Sequence, residues 1–272
     1  MNAQAALAGA ARRLADMSET PRLDAELLMA HALGVDRERL LLDPPRGAVP
    51  ASFEALVERR LRHEPVAYIV GHRAFWTIDL AVAPGVLIPR PDSETLIEAA
   101  VAHFGGRSPK RILDMGVGSG ALLLAALAEW PEATGLGVDQ SEPALEIAYA
   151  NAGRLGMAER ARIEKGSWDA ASSGEFDLVL CNPPYVEEGA ALPRDVADYE
   201  PASALYAGPE GLDDYRLIAP ALRLPPGGAA CIEIGSDQAR AVRTLFELAG
   251  LHTEIRTDLA GRDRCVVVTP RA

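Results

Sequence analysis

Arg111-Ile112-Leu113-Asp114-Met115-Gly116-Val117-Gly118-Ser119-Gly120 leads directly into Ala121-Leu122-Leu123-Leu124-Ala125-Ala126-Leu127-Ala128-Glu129-Trp130. A short apolar run that ends in glycines reads as a buried strand, and the Ala- and Leu-rich stretch behind it reads as a helix over Ala121 to Trp130. Glycines at 116, 118 and 120 let backbone approach a ligand closely, and the start of the helix supplies free N–H groups. Asp139 closes the next apolar run, Thr134 to Asp139, 19 residues after Gly120. A carboxylate at that place accepts hydrogen bonds from both hydroxyls of a ribose. The G-x-G-x-G spacing lacks a third glycine at the dinucleotide position and favours a single nucleoside. The loop therefore offers Gly116, Val117, Gly118, Ser119 and Gly120 to that ligand, with Asp114 beneath them facing its cationic or amino end.

The same alternation continues on both sides of this unit. Helix Glu142 to Leu155, strands Ala161 to Lys165 and Phe176 to Cys181, helix Asp213 to Leu222, strand Ala229 to Ile234 and helix Asp237 to Ala249 follow in turn. Strands His252 to Thr257 and Arg264 to Val268 close the chain without a helix between them. Seven strands in this pattern specify an α/β fold with a doubly wound, mostly parallel sheet. The last two pair as a hairpin through Gly261, which makes one strand antiparallel.

Upstream the period is helical. Thr20 and Pro21 open a segment with Leu23, Leu27, Leu28 and Ala30 on one stripe, closed by Gly34; Phe53, Leu56, Val57 and Leu61 form a second stripe. With Ala5 to Met17 and a turn at Asp36 to Leu42, residues 1–65 form a small helical domain. Between 66 and 90 the period becomes two, and Tyr68-Ile69-Val70 followed by Trp76, Ile78, Leu80 and Val82 reads as a β-hairpin linker to a domain over 91–272. Ile88-Pro89-Arg90-Pro91-Asp92-Ser93-Glu94 then leads into a helix, either as a plain cap or as a lid that leaves Arg90 to meet a carboxylate.

Composition excludes several classes. The chain carries 27 basic and 39 acidic residues, and the first 73 residues hold ten of each, so the net charge of −12 lies entirely in the second part. Eight of those acids (Glu187, Glu188, Asp195, Asp198, Glu200, Glu210, Asp213, Asp214) fall between 186 and 214 against Arg194 alone. Such a run is a solvated face or, beside an active site, a repellent for phosphates. Cys181, Cys231 and Cys265 sit in apolar runs without metal-ligand spacing, and read as buried reduced thiols. No metal site is expected. No apolar run approaches the roughly 18 residues of a membrane span and no signal-peptide pattern opens the chain, so a soluble, cytoplasmic protein is expected. The lone histidines His31, His63, His72, His103 and His252 have no partners in sequence that would make a catalytic set.

The most specific stretch is Phe176-Asp177-Leu178-Val179-Leu180-Cys181-Asn182-Pro183-Pro184-Tyr185, an apolar strand that runs into two prolines. Proline donates no ladder hydrogen bond and holds the residue before it extended, so Asn182 projects from the strand's C-terminal edge, where open α/β sheets bind ligands. Its amide oxygen and the nearby carbonyls suit a planar NH2 group. Ser167 and Trp168, after the third strand, lie where an adenine ring would sit; Trp168 reads equally as a stacking face and as core.

Asp114 to Gly120, Asp139, Gly166-Ser167-Trp168, Asn182-Pro183-Pro184-Tyr185 and Ile88 to Glu94 occur in the order seen in HemK/PrmC proteins, which this chain resembles over nearly its whole length. Glu64 to Gly71 and Tyr199-Glu200-Pro201 also look like that family, while Met115 and Val117 stand where it more often has Leu and Thr. The antiparallel ending is that of methyltransferases using S-adenosylmethionine. The resemblance implies a protein-(glutamine-N5) methyltransferase, probing peptide chain release factors as substrate and leaving S-adenosylhomocysteine. It implies that Asn182 and Pro183 accept the glutamine N–H groups, that Pro184 belongs to the same catalytic motif, that Tyr185 packs on the amide plane, and that residues 1–65 dock the release factor. A monomer with no direct nucleic-acid or membrane partner is expected. The rival reading is an adenine-N6 methyltransferase on DNA or RNA, since an exocyclic amine suits the same motif; the acidic run speaks against it.

Overall fold

The computed structural model describes residues 3–43 and 48–271; residues 1, 2, 44–47 and 272 of the expected domains lie outside the described ones. Two compact units emerge. One takes in the chain up to His72 together with Leu192–Glu200, and the other takes in Arg73–Ala191 and the chain from Pro201 onward.

The first unit contains α1 (Ala3–Leu14), α2 (Pro21–Leu33), α3 (Arg37–Leu42), α4 (Ala51–Leu61) and the single turn α5 (Val66–Val70). Their apolar stripes meet in one core that includes Leu7, Ala25, Leu28, Met29, Phe53, Val57 and Ile69. α2 starts with Pro21 in its first turn and stops at Gly34, whose φ of 66° allows its N–H to reach the carbonyls of Ala30 and His31. Tyr68-Ile69-Val70 is helical, which corrects the strand expected there. Pro65 precedes the turn, Gly71 ends it at φ 82°, and Ala67, Tyr68 and Ile69 are buried on it. A β-branched run this short takes either form, and burial in the helical core decides it.

The hairpin itself is shorter than expected: β1 (His72–Phe75) and β2 (Ile78–Ala81). A 3-10 turn at Pro91–Ser93 feeds α6 (Glu94–Phe104). Then come β3 (Arg111–Met115), α7 (Ala121–Glu129), β4 (Thr134–Asp139), α8 (Glu142–Arg154), β5 (Ala161–Lys165) and β6 (Leu178–Cys181). The short α9 (Arg194–Ala197) lies in the segment that belongs to the helical unit. α10 (Asp213–Ala221), β7 (Ala229–Glu233), α11 (Ala239–Leu248), β8 (Leu251–Thr257) and β9 (Asp263–Pro270) complete the sheet unit.

Seven strands form one sheet in the order β5-β4-β3-β6-β7-β9-β8, parallel except that β9 runs against both its neighbours. One face is covered by α6, α7 and α8 through Leu96, Ile97, Leu123, Leu124 and Ala148; the other by α10 and α11 through Tyr215, Ile218, Val242 and Phe246. Successive strands run outward in opposite directions from β3, with β4 on one side of it and β6 on the other. That reversal opens a crevice at the C-terminal ends of these strands, the place where a doubly wound sheet binds its ligand. β4 keeps its middle bare to let α7 sit close. A Cβ on Gly135 would lie 2.4 Å from Leu123 Cδ1, and one on Gly137 2.6 Å from Val117 Cγ2. Among the described residues no helix is long and apolar enough to cross a membrane.

Candidate functional site

The crevice holds a cavity of about 390 Å³ within the sheet unit. Of the residues named from the sequence, Asp114, Gly116, Val117, Gly118, Ser119, Asp139, Ser167, Trp168, Asn182 and Pro184 line it. Gly120, Pro183 and Tyr185 do not. Gly120, at φ 87°, turns the chain into α7 against Leu124, Pro183 is buried, and Tyr185 points into the core under α10.

The glycine loop is preformed rather than open-handed. The N–H groups of Gly116 and Val117 both donate to the Val138 carbonyl, at 2.9 and 3.0 Å, and that of Gly118 donates to Asp139 Oδ2 at 3.0 Å. These donors hold the loop to β4. Asp139 Oδ1 accepts the Ser141 N–H at 2.9 Å, so the carboxylate is fixed by one backbone donor on each oxygen and keeps lone pairs for a diol. Gly116 sits at φ 74°, and a Cβ there would press on Trp168 at 3.4 Å and fill the cradle. Trp168 itself is held edge-on by its Nε1–H, which donates to Asp214 Oδ1 at 2.9 Å. Ser167 spends its hydroxyl on Asp169 Oδ1, at 2.6 Å.

Asp114 is 1% exposed. Its Oδ2 accepts the Leu123 N–H at 3.0 Å, while Oδ1 has no hydrogen-bond partner. Burial, and secondarily the nearby Asp139 charge, pushes its pKa up to about 8 against the opposing pull of the Leu123 N–H. An acid left half satisfied in a cavity wall is poised for a cationic ligand, whose charge would favour the ionised form.

Asn182 stands at the end of β6 and its Nδ2 donates to the Ser93 hydroxyl at 3.2 Å. The Pro183 carbonyl receives no hydrogen bond among the described residues. Behind them Tyr185 Oη donates to Glu233 Oε1 at 3.2 Å, and Gln238 Nε2 holds the Tyr185 carbonyl at 3.0 Å. Burial, with the Glu233 charge, raises the Tyr185 hydroxyl pKa, so the phenol remains a donor.

Sequence reasoning missed Ser93, Asp214, Glu233 and Asn151. Ser93 stood in the Ile88 to Glu94 stretch but was read as a helix cap; its side chain makes no cap and lines the cavity instead. Asn151, wholly buried in α8, donates to the carbonyls of Ala81 and Ser119, at 2.9 Å each, and so staples the hairpin to the loop. Glu94 accepts the Trp76 N–H at 2.9 Å and does not line the cavity, whereas Arg90 does. The acidic run is less of a field than its composition suggested. Asp195 pairs with Arg60, Asp198 with Arg194, and Glu210 and Asp213 with Arg216.

Family models match two parts of the chain: the PrmC N-terminal domain over residues 5–71 and the methyltransferase small domain over residues 92–198. The release factor glutamine methyltransferase of Rhodospirillum rubrum is 46% identical over 263 residues, covering 93% of this chain and 80% of its own. That of Cereibacter sphaeroides is 44% identical over 277 residues, 98% of each chain. Among solved structures, a methyltransferase from Pyrococcus furiosus aligns with a TM-score of 0.51 over 80% of this chain and 98% of its own at 17% identity, a likeness of fold.

Proposed function

The chain belongs to the release factor glutamine methyltransferase family, and from that premise we propose that it transfers a methyl group from S-adenosylmethionine to the side-chain amide nitrogen, N5, of the Gly-Gly-Gln glutamine in peptide chain release factors. One observation carries the reading at the level of residues. Asn182, with its NH2 group occupied by Ser93, leaves an amide oxygen and the neighbouring Pro183 carbonyl as acceptors beside a nucleoside cradle.

The cavity suits S-adenosylmethionine on chemistry present in the chain. Of the residues lining the cavity, Asp139 would hold the ribose hydroxyls, Trp168 and Gly116 would border the base, and the unpartnered oxygen of Asp114 would meet the ammonium end. When bound, that cofactor supplies an electrophilic methyl group on a sulfonium. The rest of the work falls to the protein. Asn182 Oδ1 and the Pro183 carbonyl accept the two N–H groups of the glutamine amide and aim its nitrogen. Amide nitrogen is a poor nucleophile because its lone pair is delocalised, so orientation and water exclusion are the contributions available. No strong base is required, because the nitrogen sheds its proton after the methyl arrives. Tyr185, with its hydroxyl on Glu233, serves as the buried foot of this segment, which replaces the expected packing on the amide plane. The helical unit docks the protein substrate, and the chain works in the cytoplasm where release factors act.

Labelled S-adenosylmethionine offered with release factor and, separately, with bulk nucleic acid tests the proposal. Label is expected on the release factor glutamine; label on nucleic acid instead would establish the adenine reading. Asn182→Ala is expected to lower kcat by about 100-fold or more while calorimetry shows cofactor affinity nearly unchanged.

A further inference from the structure

Pro183 and Pro184 carry no N–H and have a fixed φ, so the Asn182 to Tyr185 stretch is stiff and neither proline is tied down by a donor of its own. Where the Pro183 carbonyl points is therefore set by how the two ends are held. At the front, Cys181 is paired with Met115 on one side and Ile232 on the other, and the Asn182 amide is tied to Ser93. At the back, the Tyr185 carbonyl accepts Gln238 Nε2 at 3.0 Å. Just beyond it, Val186 bridges to Tyr206, its N–H donating to the Leu205 carbonyl at 2.8 Å and its carbonyl accepting the Ala207 N–H at 2.9 Å.

Gln238 stands at the N-cap of α11, 53 residues from Tyr185 in the chain. Its Nε2 also donates to the Gly211 carbonyl at 3.2 Å, and its Oε1 accepts the Gly235 N–H at 3.0 Å. Two carbonyls at one end and an N–H at the other decide which end of the amide is which. The side chain is seated between two bare Cα atoms. A Cβ on Gly235 would lie 2.9 Å from Gln238 Oε1, and one on Gly211, at φ 64°, would lie 2.8 Å from Gln238 Nε2 and 2.3 Å from the Tyr185 oxygen. Three pieces of chain thus converge on one amide: the end of the Asn-Pro-Pro-Tyr stretch, the turn before α10 and the turn before α11. Gln238 itself does not line the cavity.

We propose that Gln238 is a positioning residue for methyl transfer: by holding the Tyr185 carbonyl it fixes the stiff Pro-Pro segment from behind, and so sets where the Pro183 carbonyl meets the substrate amide. The proposal rests on the glutamine methyltransferase reading. The hold is polar and does not depend on volume. Glutamate at this place keeps the size but sets a carboxylate against two carbonyls, and methionine keeps the size but removes both donors. Because the segment is stiff, release at Tyr185 carries through to Pro183, and a small misplacement beside the reacting nitrogen costs rate steeply. The glycine loop and Asp139, tied to β4 by their own hydrogen bonds, are left in place. The effect therefore falls on turnover and spares cofactor binding.

The test compares the full-length wild type with Gln238→Met and Gln238→Glu. Amide hydrogen exchange at Val186 and Ala207, read by NMR, measures the hold without any substrate. It is expected to quicken about tenfold in Gln238→Met and further in Gln238→Glu, while the Leu123 amide, bonded to Asp114, keeps its wild-type rate. Unchanged exchange at Val186 and Ala207 in both variants overturns the hold. With labelled S-adenosylmethionine and intact release factor, kcat is expected to fall about tenfold in Gln238→Met and about 100-fold in Gln238→Glu, with cofactor affinity by calorimetry within about twofold of wild type. A Gln238→Glu kcat no lower than that of Gln238→Met, or a loss of cofactor affinity as large as the loss of kcat, overturns the positioning role. Absence of transfer by the wild type is a separate result: it overturns the functional reading, and the role in transfer with it, whatever the exchange rates show.

Discussion

Two pairs of buried acids, Asp24 and Glu26 in the helical unit and Asp114 and Glu233 at the strand ends of the sheet unit, are treated in opposite ways. In the first, Asp24 accepts Arg60 Nε at 2.8 Å, and Glu26 takes Arg22 at 2.5 Å and Arg37 at 2.8 Å. Burial alone would raise Glu26, yet the hydrogen bonds of Arg22 and Arg37 overcome it and the pKa is lowered. In the second, Asp114 and Glu233 are as deeply buried, form no ion pair among the described residues, and are pushed up to about 8 and about 7. An acid buried with its own arginine belongs to the fold. One buried without is costly to the fold, and persists where a ligand or a neighbouring side chain uses it.

Paired substitutions break or sharpen this contrast. Asp24→Ala leaves the buried Arg60 guanidinium with Asp195 as its one remaining carboxylate partner in the structure and is expected to destabilise the protein by up to about 3 kcal/mol in chemical denaturation, with cofactor affinity unchanged. Asp114→Asn should do the reverse. Its folded pKa stands above the ordinary 3.8, so its contribution to stability is present below that value and lost as pH rises to about 8. At pH 8 the Asn variant is therefore expected to melt higher than wild type while binding S-adenosylmethionine about tenfold or more weakly, and to lose the rise in affinity that wild type shows as pH approaches 8. If both substitutions destabilise equally, the contrast fails.

Two smaller effects divide the units by task. Deleting residues 1–63 and bridging Ala191 to Pro201 with a short Gly-Ser linker removes most of the helical unit. It is expected to raise KM about tenfold for intact release factor and to leave that of a Gly-Gly-Gln peptide nearly unchanged. Trp168→Phe keeps a ring over Gly116 but loses the donor to Asp214. Cofactor affinity, read by calorimetry, should fall by only a few-fold, about 1 kcal/mol.

Much of the sheet was legible because its signals are local. A short apolar run, glycines and a helix start are adjacent in sequence, and seven such runs in alternation leave few topologies. Asp139 was legible because a fixed spacing carries it to the loop. Ser93 and Glu233 were not, because they lie 89 and 51 residues from Asn182 on opposite sides of it, and only the order β3-β6-β7 brings them to one strand edge. Tyr68 to Val70 failed for a different reason. Its β-branched composition favours a strand, and burial in the helical core outweighs that preference.

The helical unit is assembled from two stretches of chain that are far apart in the order of synthesis. α1 to α5 leave the ribosome first, but Asp195, which reaches Arg60 at 3.3 Å, and Tyr199, whose hydroxyl donates to the Arg62 carbonyl at 2.8 Å, arrive only after β3 to β6 have been made. Asp24 and Arg60 lie within the first of these stretches and can pair early, whereas the contacts with Asp195 and Tyr199 are made late. A pulse of proteolysis during translation should accordingly find α4 protected in two steps, the second coinciding with emergence of Glu200 from the exit tunnel.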